Sequence, residues 1–472
     1  MTKSSKSVLK NFGYLLSAHW VREVLQTIFI IALARQGTEM YGQFMLAISI
    51  GQLLLFASEF GLNQHLSTML ARKENYPSRI LRQVTFIKVA FLFFGWLAMI
   101  GFTFWQDYSP QLRAIIIVVA TAIGLEGIGN SFFVACQVLE RQDVEGKSRG
   151  IASLFGYGYG LIALFSGFPA TMVALFKILE TFTNLGVVAR LFFRRFWRSF
   201  RLESFTDVWG VWKEGLVYTA MAVCAIFYNK INMFFLQKYA GSEGVAQYSA
   251  TWQIVDFVSV LVSSLLLGKV MFPLFTKLWV NDRTQFKRLA QKSSAWLVAA
   301  ALPISYVLFV ESDRIITLVY GQNYGPAIQM QKELVGCILF AFIHNLASYL
   351  MVSMKCQRIL LVMYTVGLAA NFILCMVLIP QNPMSGTAYA ILLTKGGMAF
   401  MTVSFCQFAI GLFVAKDVLR LLVIVAAAVV VHLVTVQYFP RTVVEILTLC
   451  PLLYHAYRLY LRQQKTLPGA LL

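Results

Sequence analysis

The sequence predicts an all-α polytopic membrane protein of about fourteen transmembrane helices, and two observations carry that prediction. The first is length. Apolar stretches of roughly 18–24 residues recur along the chain, enough for a helix to cross a hydrocarbon core of about 30 Å. The second is where the basic residues fall. With the N-terminus taken as cytoplasmic, 29 of the 40 Lys and Arg lie in alternate connectors and only 6 in the intervening ones. Such strict alternation is the positive-inside pattern of an even number of helices, and it places both termini in the cytoplasm. Composition agrees: 58% hydrophobic residues against 13% charged is far from a soluble domain. The net charge of +19 does not indicate a nucleic-acid partner, because the basic residues sit at helix ends facing the cytoplasm. Topology and anionic headgroups account for them there.

Each element follows in order. Lys3, Lys6 and Lys10 lead into a first full-length span near 14–34 without a small-residue cleavage site, so no removable signal peptide is expected. The second span runs near 43–63, and a basic connector from Arg72 to Arg82 follows. Spans three and four (84–105 and 112–135) flank the short turn Asp107-Tyr108-Ser109-Pro110. Spans five and six (150–167 and 169–192) are joined by Gly167-Phe168-Pro169, which has room only for a tight turn. The connector from Arg194 through Trp197 to Lys213 mixes aromatic and basic residues, as a helix lying in the cytoplasmic interface does. Spans seven and eight lie near 216–237 and 246–268, and a second basic connector runs from Lys277 to Lys292. Spans nine to twelve are placed near 294–311, 331–352, 359–379 and 386–408, and the last two near 418–437 and 442–461. The outer loop from Ser312 to Pro326 is the largest on its face and carries the amphipathic set Ile315, Ile316 and Val319.

An internal repeat organises these spans. Gly37-Thr38-Glu39-Met40-Tyr41-Gly42-Gln43-Phe44 matches Gly241-Ser242-Glu243-Gly244-Val245-Ala246-Gln247-Tyr248 at a constant offset of 204 residues. A weaker echo joins Asp107-Tyr108-Ser109-Pro110 to Asn323-Tyr324-Gly325-Pro326. Six spans separate the copies, so the halves share an orientation about an axis along the membrane normal. The expected organisation is a six-helix bundle over 1–205, a second over 206–412, and two further helices over 413–472.

These same residues carry a family resemblance. The Gly37–Phe44 turn, followed by Glu59-Phe60-Gly61-Leu62-Asn63, resembles the Wzx-type lipid-linked oligosaccharide flippases of polysaccharide biosynthesis. Their superfamily also holds multidrug exporters and lipid II flippases. Gln247-Tyr248-Ser249-Ala250 through Phe272-Pro273-Leu274, and Val319-Tyr320-Gly321-Gln322-Asn323-Tyr324, are similar to further landmarks, and the likeness extends to about residue 412. Glu59 stands where the family often has Asp. The resemblance implies an inner-membrane flippase that works by alternating access on an undecaprenyl-diphosphate oligosaccharide, within membrane lipid. It also implies a cationic central cavity, and a polysaccharide polymerase and chain-length regulator as candidate partners.

Charges within spans are costly and usually face a cavity or a partner. Five cations qualify as ligands for a diphosphate: Lys395, Lys230, Arg22, Lys177 and Lys88. Lys395, beside Gly396-Gly397, and Lys230, between Asn229 and Asn232, lead the set. Against a binding role, Lys88 lies close enough to a helix end to snorkel, and Lys177 and Glu180 at i,i+3 can neutralise each other. Arg22 and Glu23 are sequence neighbours that point to different helix faces. For ion coupling the candidates are the carboxylates Glu126, Asp256 and Glu23, which could alternate between protonated and ionised states and so couple H⁺ or Na⁺. Glu59, near a helix end, is expected to stay solvated. Gly156-Tyr157-Gly158-Tyr159-Gly160 signals close helix packing or a bend, with an aromatic face for sugar rings as the alternative.

The sequence holds no Ser/His/Asp constellation, no phosphate-binding glycine loop and no clustered metal ligands, so neither catalysis nor a cofactor is expected. The seven cysteines are scattered without C-x-x-C pairs, and the five histidines are isolated. Two rivals remain. A cation-coupled multidrug exporter would share the fold, but its cationic substrates fit poorly with five intramembrane cations. A membrane-embedded glycosyltransferase or polymerase would need a large polar loop bearing acids, and every connector here is short.

Overall fold

The computed structural model describes residues 5–71, 77–138, 142–196 and 208–464. Among them every regular element is helical. In chain order these are α1 (Ser5–Gln36), α2 (Thr38–Glu59), α3 (Leu62–Ala71), α4 (Pro77–Trp105), α5 (Pro110–Val138), α6 (Gln142–Phe165), α7 (Ala170–Val173), α8 (Leu175–Phe196) and α9 (Val208–Leu261). A π-helical segment (Val262–Met271) leads into α10 (Phe272–Asn281), α11 (Arg283–Val310), α12 (Ser312–Tyr320), α13 (Gly325–Leu334) and α14 (Gly336–Ser353). The chain closes with α15 (Gln357–Leu378), α16 (Pro383–Ile410), α17 (Ala415–Thr435) and α18 (Arg441–Gln464). The expected interfacial helix between Arg194 and Lys213 lies largely outside the described residues, as does the start of the basic connector at Arg72, whose later part from Pro77 belongs to α4.

Ten helices among the described residues are long and apolar enough to cross a membrane. One of them, Thr219–Asn281, runs over 63 residues and takes in most of the seventh predicted span and all of the eighth. The first, fifth and last predicted spans fall on α1, α6 and α18. There, charges or the Gly-Tyr run dilute the apolar sequence below that threshold. The chain is a multi-pass membrane protein. Most of α17 is exposed, and its Leu419, Leu422, Val423, Val429, Val430 and Leu433 form a face that hydrocarbon covers.

The chain divides into two compact units, Met1–Ala246 and Gln247–Leu472. The division falls inside α9, beyond the expected boundary at 205/206. In the first unit α5 packs against α2, α4 and α8, while α6 lies along α1 and α8. A dry cluster of Leu62, Leu66, Leu81, Val84, Phe133 and Val188 fastens α3 to its neighbours. In the second unit α14 and α15 flank α16, and the hairpin of α17 and α18 attaches through α11.

The helix breaks follow the repeat. Gly241 interrupts α9 with φ 66° and ψ −169°, at the position equivalent to Gly37, where α1 gives way to α2. Span two does not run unbroken to residue 63. Its helix stops at Glu59, and Phe60 and Gly61 adopt φ of 29° and 74° before α3 begins. A phenylalanine is strained there, and its ring is held edge-on by Phe91 at 6.0 Å. The equivalent position in the second half falls within the π-helical segment, so both copies lose α-helical regularity at the same point.

The two repeat motifs also meet in space. Gln111, just after Pro110, donates to the Gln43 side-chain oxygen at 3.4 Å. In the second unit Gln247 donates to the Asn323 carbonyl at 3.0 Å and accepts from the Ala327 amide at 3.1 Å. The aromatic partners Phe44 and Tyr248 are both fully buried.

Two predictions follow from this packing. A Cβ on Gly42 would collide with the Ser242 carbonyl, which is backbone and cannot swing away. Gly42→Val is therefore expected to cost at least about 1–3 kcal/mol, read as a lower melting temperature of the detergent-purified protein. Arg441 ties α18 to the α11–α12 turn. It pairs with Asp313 at 2.7 Å, with Glu311 and Glu445 at 3.2 Å each, and with the Val310 carbonyl. The Arg441 hydrogen bond holds the Asp313 carboxyl well below the usual carboxylate range. Because folding lowers that pKa, the pair contributes stability above the ordinary aspartate range, and the contribution is lost as the pH falls toward the depressed value. Arg441→Gln should flatten the acid limb of the melting-temperature profile and leave the neutral region less affected. An unchanged acid limb would show that the pair adds no stability.

Candidate functional site

The first unit encloses a cavity of about 340 Å³ between α1, α2, α5, α6 and α8. Its position follows from glycine. A Cβ on Gly156 would sit 2.5 Å from the Glu180 Cβ and 2.9 Å from the Phe176 carbonyl, and one on Gly160 would sit 2.8 Å from the Phe29 ring. The Gly-Tyr-Gly-Tyr-Gly run thus lets α6 lie directly on α8 and α1. Tyr157, between the two contact glycines, turns into the cavity. Its hydroxyl donates to Gln26 at 3.2 Å, and its ring packs with Phe29 and Phe176 at 5.8 and 5.5 Å.

Four charges meet at this aromatic wall. The Lys177 ammonium lies 2.6 Å from both Glu126 and Glu180. The Arg22 guanidinium lies 3.2 Å from Glu180 and 3.5 Å from Glu126. Two cations face two carboxylates, so the cluster is charge-balanced, as burial in low dielectric demands. It is not fully hydrogen-bonded: Arg22 Nε is buried without an aligned acceptor. That leaves a cationic donor unsatisfied at the edge of a roomy polar cavity.

A second polar chain continues from the cavity. Asn130 donates to Glu59 at 2.6 Å and accepts from Arg149 at 3.2 Å, and Arg149 pairs with Glu145 at 3.1 Å. Glu59 is therefore half-buried and hydrogen-bonded, not solvated as its place near a helix end suggested. Lys88 does not snorkel. It is fully buried and donates to Asn63 at 2.6 Å and to the Gly127 carbonyl at 2.7 Å. The break at Phe60–Gly61 ends α2 ahead of Asn63, which lies on α3 and accepts from Lys88, and this local geometry was invisible in the sequence.

The other candidates lie elsewhere. Glu23 borders the cavity on an exposed stretch of α1. Lys230 and Asp256 are partly buried on α9. Lys395 is 9% exposed on α16, with its ammonium 5.2 Å above the Trp252 ring, which itself stacks on Tyr248 at 5.8 Å. That is a cation–π arrangement in the second unit. Close by, buried His344 contacts Thr402 at 3.1 Å and Tyr364 at 3.2 Å. The structure brings Arg22, Lys177 and Glu126 together with Glu180 and leaves Lys88, Lys230, Lys395 and Asp256 outside that cluster. Arg149 and Gln26 are cavity residues that sequence reasoning missed. Arg149 stands just ahead of the fifth predicted span, where a basic residue reads as a helix-end charge, and a lone Gln in a span gives no signal.

Comparison with known proteins defines the class. Residues 8–279 match the family model described as polysaccharide biosynthesis protein, and the chain belongs to that family. No curated protein sequence matches it. Among solved structures it is similar to the lipid II flippase MurJ in an inward closed conformation, with a TM-score of 0.73 at 11% identity over 95% of this chain and 99% of that one. A multidrug resistance MATE family transporter of the MOP superfamily, inward-facing, gives 0.66 at 12% identity over 82% and 94%. A MOP superfamily transporter from Pyrococcus furiosus, described as having a binding pocket of reverse polarity, gives 0.56 at 13% identity over 87% and 99%. At these identities the likeness is one of fold, and the fold is that of MOP superfamily transporters. The Wzx-like resemblance read from the sequence agrees with both the family and the fold.

Charge balance in the cavity makes a double-variant prediction. Lys177→Met leaves Glu126 and Glu180 sharing only Arg22 and should destabilise the protein by about 3–5 kcal/mol. Adding Glu180→Gln removes the surplus carboxylate and should restore part of the loss. Thermal melts of the single and double variants check this, and additive losses would show that the cluster is not acting as one unit.

Proposed function

We propose that the protein is a flippase that carries a polyprenyl-diphosphate-linked oligosaccharide across the inner membrane for surface polysaccharide synthesis. The supporting observation is the cavity: Arg22 and Lys177 lie within membrane-spanning helices, beside an aromatic wall, in a member of the polysaccharide biosynthesis family. A diphosphate crossing a low-dielectric slab must replace its hydration with charge-assisted hydrogen bonds, and a guanidinium and an ammonium are the groups that supply them. Rings such as Tyr157 and Phe29 offer flat apolar faces to sugars, and the polyprenyl chain would remain in the bilayer. Transport would proceed by alternating access with both termini in the cytoplasm, and a polymerase would take up the product on the far side.

One observation favours a second reading. Glu126 lines the same aromatic cavity, with Glu180 buried behind it, and a carboxylate beside aromatic rings also suits an organic cation. A multidrug exporter would use it so.

Complementation separates the two. In a bacterium lacking its own oligosaccharide-lipid flippase, wild type should restore surface polysaccharide, and Arg22→Gln should lose most of that activity at equal membrane abundance. Restored drug resistance without polysaccharide would instead favour the exporter.

A further inference from the structure

The cations of the cavity are already neutralised. Arg22 and Lys177 each lie within 4 Å of both Glu126 and Glu180, so a diphosphate that takes them as partners leaves two carboxylates without a counter-charge. An anion would then sit against carboxylates within one enclosed site, and a buried carboxylate that has lost its cation holds a proton. We propose that Glu126 and Glu180 take up protons when the anion binds, so that anion and proton occupy the site together and not in exchange. This rests on the diphosphate reading above and adds the sign of its coupling.

The surrounding groups do not offer a way out. Glu23 on α1 is exposed. Glu59 on α2 is held by Asn130, Lys88 on α4 by Asn63 and the Gly127 carbonyl, and Arg149 on α6 by Glu145 and Asn130. Tyr157 on α6 donates to Gln26. None of the cations among them is free to replace Arg22 or Lys177 beside the carboxylates without leaving a carboxylate or carbonyl of its own. The buried and unaligned Arg22 Nε is the donor best placed to turn from Glu180 to an incoming oxygen. Because each phosphate charge brought in is matched by a proton on Glu126 or Glu180, the loaded cavity keeps nearly the charge balance it has now. That balance is what a site moving through a membrane needs.

Calorimetric titration of the detergent-purified protein with farnesyl diphosphate, in buffers of different ionisation enthalpy, counts the protons directly. Wild type should take up more protons than the ligand's own titration supplies. Its affinity should weaken as the pH rises, by up to about tenfold per pH unit for each proton taken up. Glu126→Gln and Glu180→Gln should each reduce the proton count and the pH dependence, and bind more tightly at the alkaline end. Binding with no proton uptake beyond the ligand's own would overturn the coupling and leave the flippase reading standing. No binding of farnesyl diphosphate at any pH would overturn the diphosphate site itself. The wild-type measurement decides both questions even if a variant fails to fold.

Discussion

A charge held among membrane-spanning helices cannot borrow water, so it must be given a partner or a polar path, and much of the first unit is organised by that requirement. Five helices contribute to the cavity because one helix cannot satisfy Lys177: its i,i+3 neighbour Glu180 supplies one carboxylate, and α5 must bring Glu126 as the second. Arg22 then closes the balance from α1. The close approach of α6 that completes the enclosure depends on Gly156 and Gly160, since any side chain there would meet α8 or Phe29. Charge pairing and helix spacing are thus one constraint: move α6 outward and both the aromatic wall and the seal around the ion cluster go with it.

The same logic explains the irregular backbone. Where α2 breaks at Phe60 and Gly61, the chain turns into α3 ahead of Asn63, and buried Lys88 finds there one of the two acceptors it uses. Without the break Lys88 would retain the Gly127 carbonyl but lose its side-chain acceptor. The equivalent stretch of the second half relaxes into a π-helix, which widens the turn without ending it. One sequence position in each copy therefore relieves helical regularity, though by different means.

Much of this was legible in the sequence. Apolar length and the alternation of basic connectors placed the helices, because hydrocarbon thickness admits few alternatives. The repeat was visible because turns need specific residues: Gly241 at φ 66°, and the glutamines Gln43 and Gln247 that anchor the turns. What stayed hidden was whatever depends on facing. Glu126 had no sequence neighbour of opposite charge, yet two cations reach it from other helices. Lys88 looked like a snorkelling residue because depth was inferred from distance along one helix, while its burial comes from α3 and α5 closing over it. Arg149 counted as topology signal, and the same charge also serves the polar chain below the cavity.

The two halves handle a lysine on their sixth spans in chemically different ways. Lys177 on α8 is set between carboxylates, whereas Lys395 on α16 lies over an indole, and α14, α15 and α16 contain no acidic residue at all. A carboxylate pair can change its charge by taking a proton, but an aromatic face cannot. The two copies of the repeat thus surround their lysines differently: one with groups that can titrate, the other with a ring that cannot.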